Sequence, residues 1–307
     1  MWLLGANAWV AGALEGLGTE LSGEIEQPYV RPWSTVLRVP TRRGDLWFKA
    51  CGPALAHEPA TIEILARRRP NSLPRLLAVD RVRGWMLQAD GGVRLRDLGE
   101  PARWIDVLAL YADLQAEAVR DADALLAAGV PDRRLDRLPE LYEGLLRSQD
   151  RIAGDELRRL VDLGPTVSQL CEELAGIGVP ETVQHDDLHS GNVFVQEGGY
   201  LFFDWGDACV AHPFFSLHVA MRVLAYELGV DAASNELTRF RDAYLEPWTR
   251  IASRAEVVRA LRPAVVLGGL ARAMGWQAFL DTQPPETRDE YADTVGDRLA
   301  EFLAESA

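Results

Sequence analysis

Three observations predict an α+β chain of two lobes. Apolar and polar residues alternate in short runs up to about position 88, an Asp90-Gly-Gly92 break follows, and apolar residues then recur every three or four positions. The division places a small β-rich lobe at residues 1–90 and a larger helical lobe at 91–307. A chain of 307 residues, 48% hydrophobic and 25% charged, can bury a large core and is long for one simple domain.

Composition narrows the functional classes. The formal net charge of −14 argues against a general nucleic-acid surface or an anionic-membrane surface. Three scattered cysteines, Cys51, Cys171 and Cys209, do not make a disulfide framework and fit a reducing, cytoplasmic setting. The apolar N-terminus has no basic leader, and Glu15 interrupts it before the roughly 20 residues of a membrane span. Trp9, Leu14 and Leu17 instead suggest a short amphipathic helix there. No later apolar run reaches spanning length, and no internal repeat is visible.

Residues 25–50 read as strands, with Val36–Val39 and Leu46–Ala50 joined by the turn-rich Pro40-Thr-Arg-Arg-Gly44-Asp45. A helix follows from about Glu58 to Arg68; Pro59 suits its first turn, and Ile62, Leu65 and Ala66 form its inward stripe. Pro74–Val79 and Gly84–Ala89 supply two more strands, the second running into Asp90-Gly-Gly92. Beyond the break, Trp104, Leu108, Tyr111, Leu114 and Ala118 share one helix face. Helical patterns follow at 139–150 and 155–177, ended by Pro180, and later at about 233–250, 255–278 and 287–304. Trp248, Trp276 and Phe279 read as core residues rather than a substrate platform.

The stretch that carries chemistry is 183–207. It contains His185-Asp-Asp187-Leu-His189-Ser-Gly-Asn192, two apolar runs joined by Gln196-Glu-Gly-Gly199, and Asp204-Trp-Gly-Asp207. A loop, a short strand, a tight turn and a second strand ending in an acid bring Asp187, Asn192 and Asp204 together. Two carboxylates and an amide oxygen suit a hard cation such as Mg²⁺, which shares its coordination with water and phosphate. Alternating His185, Asp187 and His189 could instead bind zinc on an extended strand. Yet the remaining histidines, His57, His212 and His218, form no ligand-like pair, which argues against the zinc site.

With its H-x-D-x-x-x-x-N spacing and downstream Asp-Trp-Gly, this stretch resembles the aminoglycoside phosphotransferase family, small-molecule kinases with a protein-kinase-like fold. The order of elements over residues 25–220 extends the resemblance. It implies ATP, with GTP possible, and Mg²⁺ held by Asn192 and Asp204. Asp187 would be the catalytic group facing the acceptor hydroxyl, and His185 would order the loop. Lys49 would neutralise the α- and β-phosphates and be braced by Glu58, with Glu63 as the alternative. Ser34 and neighbouring amides would approach phosphate, while Gln88 and Ala89 would meet the adenine edge with Met86 behind it. Residues 1–90 would then bind nucleotide, and residues 91–307 would carry catalysis and the acceptor.

Two departures accompany the resemblance. No G-x-G-x-x-G precedes Lys49, and Asp186 stands where the family usually has Gly. The family's partners are a nucleotide and a small acceptor; Asp186, Asp207 and the negative net charge point to an acceptor bearing amino groups. A protein kinase shares these elements, but no A-P-E motif or long activation segment follows Asp204. A pseudokinase that binds nucleotide without catalysis commonly lacks one of Lys49, Asp187, Asn192 and Asp204, and all four are present.

Overall fold

The computed structural model describes residues 1–306. Helix α1 (Trp2–Gly16) precedes strands β1 (Glu26–Val30), β2 (Ser34–Thr41) and β3 (Gly44–Cys51), then helix α2 (Glu58–Ala66) and strands β4 (Leu76–Asp80) and β5 (Trp85–Ala89). The strands form one antiparallel sheet in the order β1-β2-β3-β5-β4. Successive side chains of a strand point to opposite faces, and β3 uses both. Phe48 and Ala50 are buried with Ala6, Val10 and Leu14 of α1, and Trp9 and Leu17 pack around them. Trp47 and Lys49 point the other way, into the space between the lobes.

The larger lobe begins with β6 (Val93–Arg94), α3 (Leu95–Leu98), α4 (Trp104–Ala118), α5 (Ala122–Ala127) and α6 (Leu138–Arg147). Helices α7 (Gly154–Asp162) and α8 (Gly164–Ile177) lead to short strands β7 (Thr182–Gln184), β8 (Val193–Gln196), β9 (Gly199–Phe202) and β10 (Cys209–Ala211). The chain closes with α9 (Leu217–Leu228), α10 (Thr238–Leu245), α11 (Arg254–Arg259), α12 (Leu261–Asp281), α13 (Pro285–Glu290) and α14 (Thr294–Glu305). All five residues that marked the face of α4 in sequence are buried. Helix α12 is central to this lobe and packs against α8, α9 and α14.

Several helical stretches divide more finely than their periodicity suggests, the run at 287–304 into α13 and α14 among them. The run at 155–177 breaks at Leu163 because Pro165 falls in the first turn of a new helix, the one place where its missing N–H costs nothing. The run at 255–278 divides at Ala260, with Pro263 in the first turn of α12. Strands β6, β7 and β10 are two or three residues long, too short to show alternation in the sequence. Among the described residues no helix is long and apolar enough to cross a membrane.

The join between α1 and the sheet centres on Phe48, fully buried with Trp9 and Trp85 each 5.5 Å away between ring centroids. Phe48→Ala should lower unfolding free energy by about 3–5 kcal/mol, as for other buried Phe truncations. Denaturant titration checks this; a loss under about 1 kcal/mol would show that α1 does not seal the sheet.

Candidate active site

A cavity of about 680 Å³ lies between the sheet and the helical lobe, lined by Ser34, Lys49, Glu58, Gln88, Asp187, Asn192, Asp204, Asp207 and Arg272 among others. Lys49 is delivered by β3, in register with Val36 and Met86. Glu58 opens α2 and is 1% exposed. The Lys49 ammonium lies 2.6 Å from Glu58 Oε2 and 2.5 Å from Asp204 Oδ1. Burial opposes its charge, but Asp204 and then Glu58 hold the lysine well above its ordinary value. The backbone N–H of Trp205 also donates to Glu58 Oε1 at 3.2 Å, so α2, β3 and the turn after β9 meet at one carboxylate. Glu63, the alternative partner for Lys49, pairs instead with Arg81 at 2.6 Å.

The β8–β9 hairpin turns through Glu197 and Gly198, where Gly198 adopts φ 98°, a conformation that favours glycine. Its register sets Val193 opposite Phe202, and the Phe203 N–H donates to the Asn192 carbonyl at 3.1 Å. Asn192 and Asp204 therefore flank the open end of one hairpin. Asn192 Nδ2 donates to the Asp187 carbonyl (3.0 Å) and to its Oδ2 (3.2 Å). Both bonds use Nδ2, which leaves the amide oxygen as the atom Asn192 can offer a cation.

The loop before the hairpin stands on buried polar groups. His185 Nδ1 accepts from the Asp187 N–H at 3.3 Å, so Nε2 carries the proton and donates to the Phe203 carbonyl at 2.8 Å. Burial pushes this ring's pKa down, which keeps it neutral. The His185 N–H donates to the Tyr111 hydroxyl at 2.9 Å, and the Asp186 N–H to Gln184 Oε1 at 2.7 Å. His189 Nδ1 accepts from Gly191 N–H, leaving Nε2 to face Asp187 Oδ2 at 3.3 Å. With their ring nitrogens engaged within the loop, His185 and His189 do not share an open face as a zinc pair would.

Asp186 holds a strained place in the loop and is compensated there. Its φ is 61°, in the left-handed region. Its carboxylate accepts from Arg133 Nη1 at 3.1 Å, with both side chains 5% exposed. This corrects one expectation: Asp186 is neutralised by Arg133 and is not available to an acceptor. Asp187 Oδ1 accepts from Arg272 Nη2 at 2.7 Å. Burial resists the charge of Asp187, but Arg272 and then His189 outweigh it and hold the carboxyl well below the ordinary range. Asp207 shares this wall; burial and then the nearby Asp187 push its carboxyl up to about 7.

Further corrections concern the rim and the aromatic residues. Met86, expected behind the base, is fully buried, and half-buried Ala89 does not line the cavity. The Ala89 N–H is already bonded to the Arg75 carbonyl at 3.0 Å, so the rim beyond Gln88 is formed by Asp90–Gly92. Phe194 packs so closely on Gly91 that an added Cβ would lie 2.2 Å from its ring, and Phe203 stacks on Phe194 at 4.0 Å. Trp248 is core, as expected, but Trp276 and an edge of Phe279 line the cavity. Arg272, Trp276 and Phe279 follow one another at four- and three-residue intervals, with Gly275 beside Trp276, so one face of α12 becomes a wall of the site.

Sequence reasoning missed Arg272, Arg133, Phe194 and Trp33. Arg272 carried a signal: it is a lone charge between Ala264 and Phe279, and a charge inside an apolar helix needs a partner. Arg133 carried none, because it adjoins Arg134 in a polar run and only the fold separates them. Arg134 pairs locally with Asp132 at 2.8 Å, whereas Arg133 is buried beneath the loop.

A sheet-rich lobe over a helical lobe, with a strand lysine paired to a helix glutamate and facing an aspartate after a hairpin, defines a protein-kinase-like fold. The sequence matches the model of the phosphotransferase enzyme family over residues 34–257, and the chain belongs to that family. It is thus a phosphotransferase that acts on an alcohol group. Comparison with curated protein sequences gives no match. Among solved structures, choline kinase LicA from Streptococcus pneumoniae is 15% identical, with 98% of each chain covered and a TM-score of 0.67. A choline/ethanolamine kinase family protein from Mesorhizobium loti is 18% identical, covering 100% of this chain and 94% of that one at a TM-score of 0.64. Macrolide 2'-phosphotransferase type I is 14% identical, with 98% and 96% covered and a TM-score of 0.62. These likenesses support the fold.

The loop at Asp186 yields a thermodynamic prediction. Asp186→Gly relieves a left-handed residue, worth about 1–2 kcal/mol, but strands the buried Arg133, which costs about 3–5 kcal/mol. The second effect wins, so D186G should be less stable than the parent. Adding Arg133→Met should recover most of that loss. Thermal unfolding of the two single variants and the double variant checks this; a stabilised D186G would mean that the ion pair contributes nothing.

Proposed function

We propose that the protein transfers the γ-phosphoryl group of ATP, or alternatively GTP, to a hydroxyl of a small amino-bearing acceptor such as an aminoglycoside, an amino sugar or a choline-like alcohol. The observation that carries this reading is the convergence of Lys49, Glu58, Asp187, Asn192 and Asp204 on one cavity from widely separated stretches of sequence. Phosphoryl transfer relies mainly on positioning and charge neutralisation, and these groups supply both.

Lys49, braced by Glu58, would neutralise charge on the α- and β-phosphates, with Ser34 and the β1–β2 turn above them. The side of Gln88 and the stacked Phe194 and Phe203 offer a flat, apolar place for a base. The Asp204 carboxylate and the Asn192 amide oxygen are the oxygen donors that suit Mg²⁺. When bound, Mg²⁺ would supply charge neutralisation to the phosphates. Asp187 would hold the acceptor hydroxyl in line. Because its carboxyl is kept so firmly ionised, its main contribution is orientation and attraction of the departing proton, which leaves late in a loose transition state.

Asp207 and the rings of Trp33, Trp276 and Phe279 support an amino-bearing acceptor. An ammonium group gains from a carboxylate and from the faces of aromatic rings in the same partly desolvated pocket. Asp186 no longer enters this argument, because Arg133 neutralises it.

An NTP-consumption screen over aminoglycosides, macrolides, amino sugars and choline-like alcohols tests the reading. Asp187→Asn should lower turnover by about 10²-fold, the low end for a missing general base, while nucleotide affinity stays near normal. Asp204→Asn should weaken Mg²⁺-dependent nucleotide binding as well as turnover. Near-parental turnover in D187N, or unchanged Mg²⁺ dependence in D204N, would remove the corresponding role.

The acceptor class has its own check. Asp207→Asn should raise KM for an amino-bearing acceptor by about two- to fivefold, the loss of one partly exposed charge pair, with little change in kcat. Its dependence on ionic strength should weaken in parallel. A screen that returns only neutral or anionic acceptors, indifferent to salt, would defeat the amino-group assignment.

A further inference from the structure

Helix α12 reaches the loop through one side chain. Arg272 is 17% exposed and forks across two consecutive residues: Nη1 donates to the Asp186 carbonyl, and Nη2 to Asp187 Oδ1 at 2.7 Å. The second Asp187 oxygen is bounded by Asn192 Nδ2 at 3.2 Å and His189 Nε2 at 3.3 Å. A carboxylate held on both oxygens has one rotamer left to it, and a planar guanidinium fork fixes direction as well as distance. The approach of α12 is close: a Cβ on Gly275 would lie 3.2 Å from Arg133 Nη2 and 3.4 Å from Asp186 Oδ2. The same helix face carries Trp276 and Phe279 into the cavity.

We propose that Arg272 is a positioning residue for phosphoryl transfer: it locks Asp187 toward the acceptor hydroxyl and ties that alignment to the α12 wall. The proposal deepens the functional reading above and rests on its assignment of Asp187. The fork commits two of the five guanidinium N–H groups to protein oxygens, one from the backbone and one from the carboxylate. Through that fork Arg272 holds Asp187, whose misplacement by about 1 Å can cost roughly 10²-fold in rate. Lysine has the charge but a single point of attachment, so it cannot hold the Asp186 carbonyl and the Asp187 carboxylate in one plane.

The test uses the full chain with MgATP as donor and water as the phosphoryl acceptor, so no acceptor need be identified. Hydrolysis, nucleotide affinity and melting temperature are measured for Arg272→Ala, Arg272→Lys, Asp187→Asn and the R272A/D187N pair. R272A should hydrolyse ATP about 10–100-fold more slowly with nucleotide affinity within about twofold of the parent. Millimolar guanidinium chloride should restore part of that rate, and R272K should fall between R272A and the parent. The pair should be no slower than D187N alone, because residues acting as one unit are not additive. If R272A does not fold, R272K carries the test: a slowed rate at unchanged nucleotide affinity supports the proposal. A parental rate in R272A or R272K overturns it, as do losses that multiply in the pair, which would place Arg272 on the phosphoryl group independently of Asp187. A parental rate in D187N itself would instead show that the underlying assignment had failed, taking the proposal with it.

Discussion

The ammonium of Lys49 is the constraint on which the rest of the site depends. It is buried, and a buried charge costs several kcal/mol unless partners surround it. Its two partners come from different places, Glu58 at the start of α2 and Asp204 after β9. Satisfying one cation therefore fixes the sheet, the helix beside it and the hairpin of the larger lobe relative to one another. Two carboxylates around one ammonium leave a net negative charge, and the proposed Mg²⁺ at Asp204 would offset it. Glu58 is further held by the Trp205 N–H, so the turn that presents Asp204 is braced by the residue that braces Lys49.

A second economy lies in the loop below. A glycine reaches the left-handed region at little steric cost, but it leaves the loop free to reach many others. Asp186 gives up that freedom and requires compensation, which Arg133 supplies from below and Arg272 supplies at its carbonyl. The loop's shape is then set by side-chain charges drawn from two distant segments. Gln184, Tyr111 and the His185 ring complete the support with neutral hydrogen bonds. The buried polar groups here are paired with one another, as their burial demands.

Much of this was legible in the sequence because its signals are local. The turn-rich Pro40–Asp45 connection identified β3 and the resemblance singled out Lys49 on it, and the spacing from Asp187 to Asn192 to Asp204 was readable because one short hairpin joins them. Glu58 could be preferred to Glu63 from its place on α2. What was not legible depends on elements meeting at a distance. Arg133 and Arg134 are alike in sequence, and only the approach of α12 and the loop buries one of them. The Ala89 amide reads as free until Arg75 is seen to occupy it. Trp276 lay on an apolar helix, where periodicity marks a residue as inward-facing without saying whether the inside is core or cavity. The strands of two or three residues were invisible for a simpler reason: period two needs more positions to register.

The indole of Trp33 meets Trp276, Phe279 and Tyr291 nearly edge-on, with centroids 5.8–5.9 Å apart. Trp33 belongs to the turn before β2, whereas the other three rings belong to the helical lobe. The two halves of the molecule thus share one group of closely coupled chromophores. Rings this near and this fixed in angle give a near-ultraviolet dichroic signal that relaxes when they separate. The protein consequently carries a built-in optical gauge of the spacing between its lobes, with no label required.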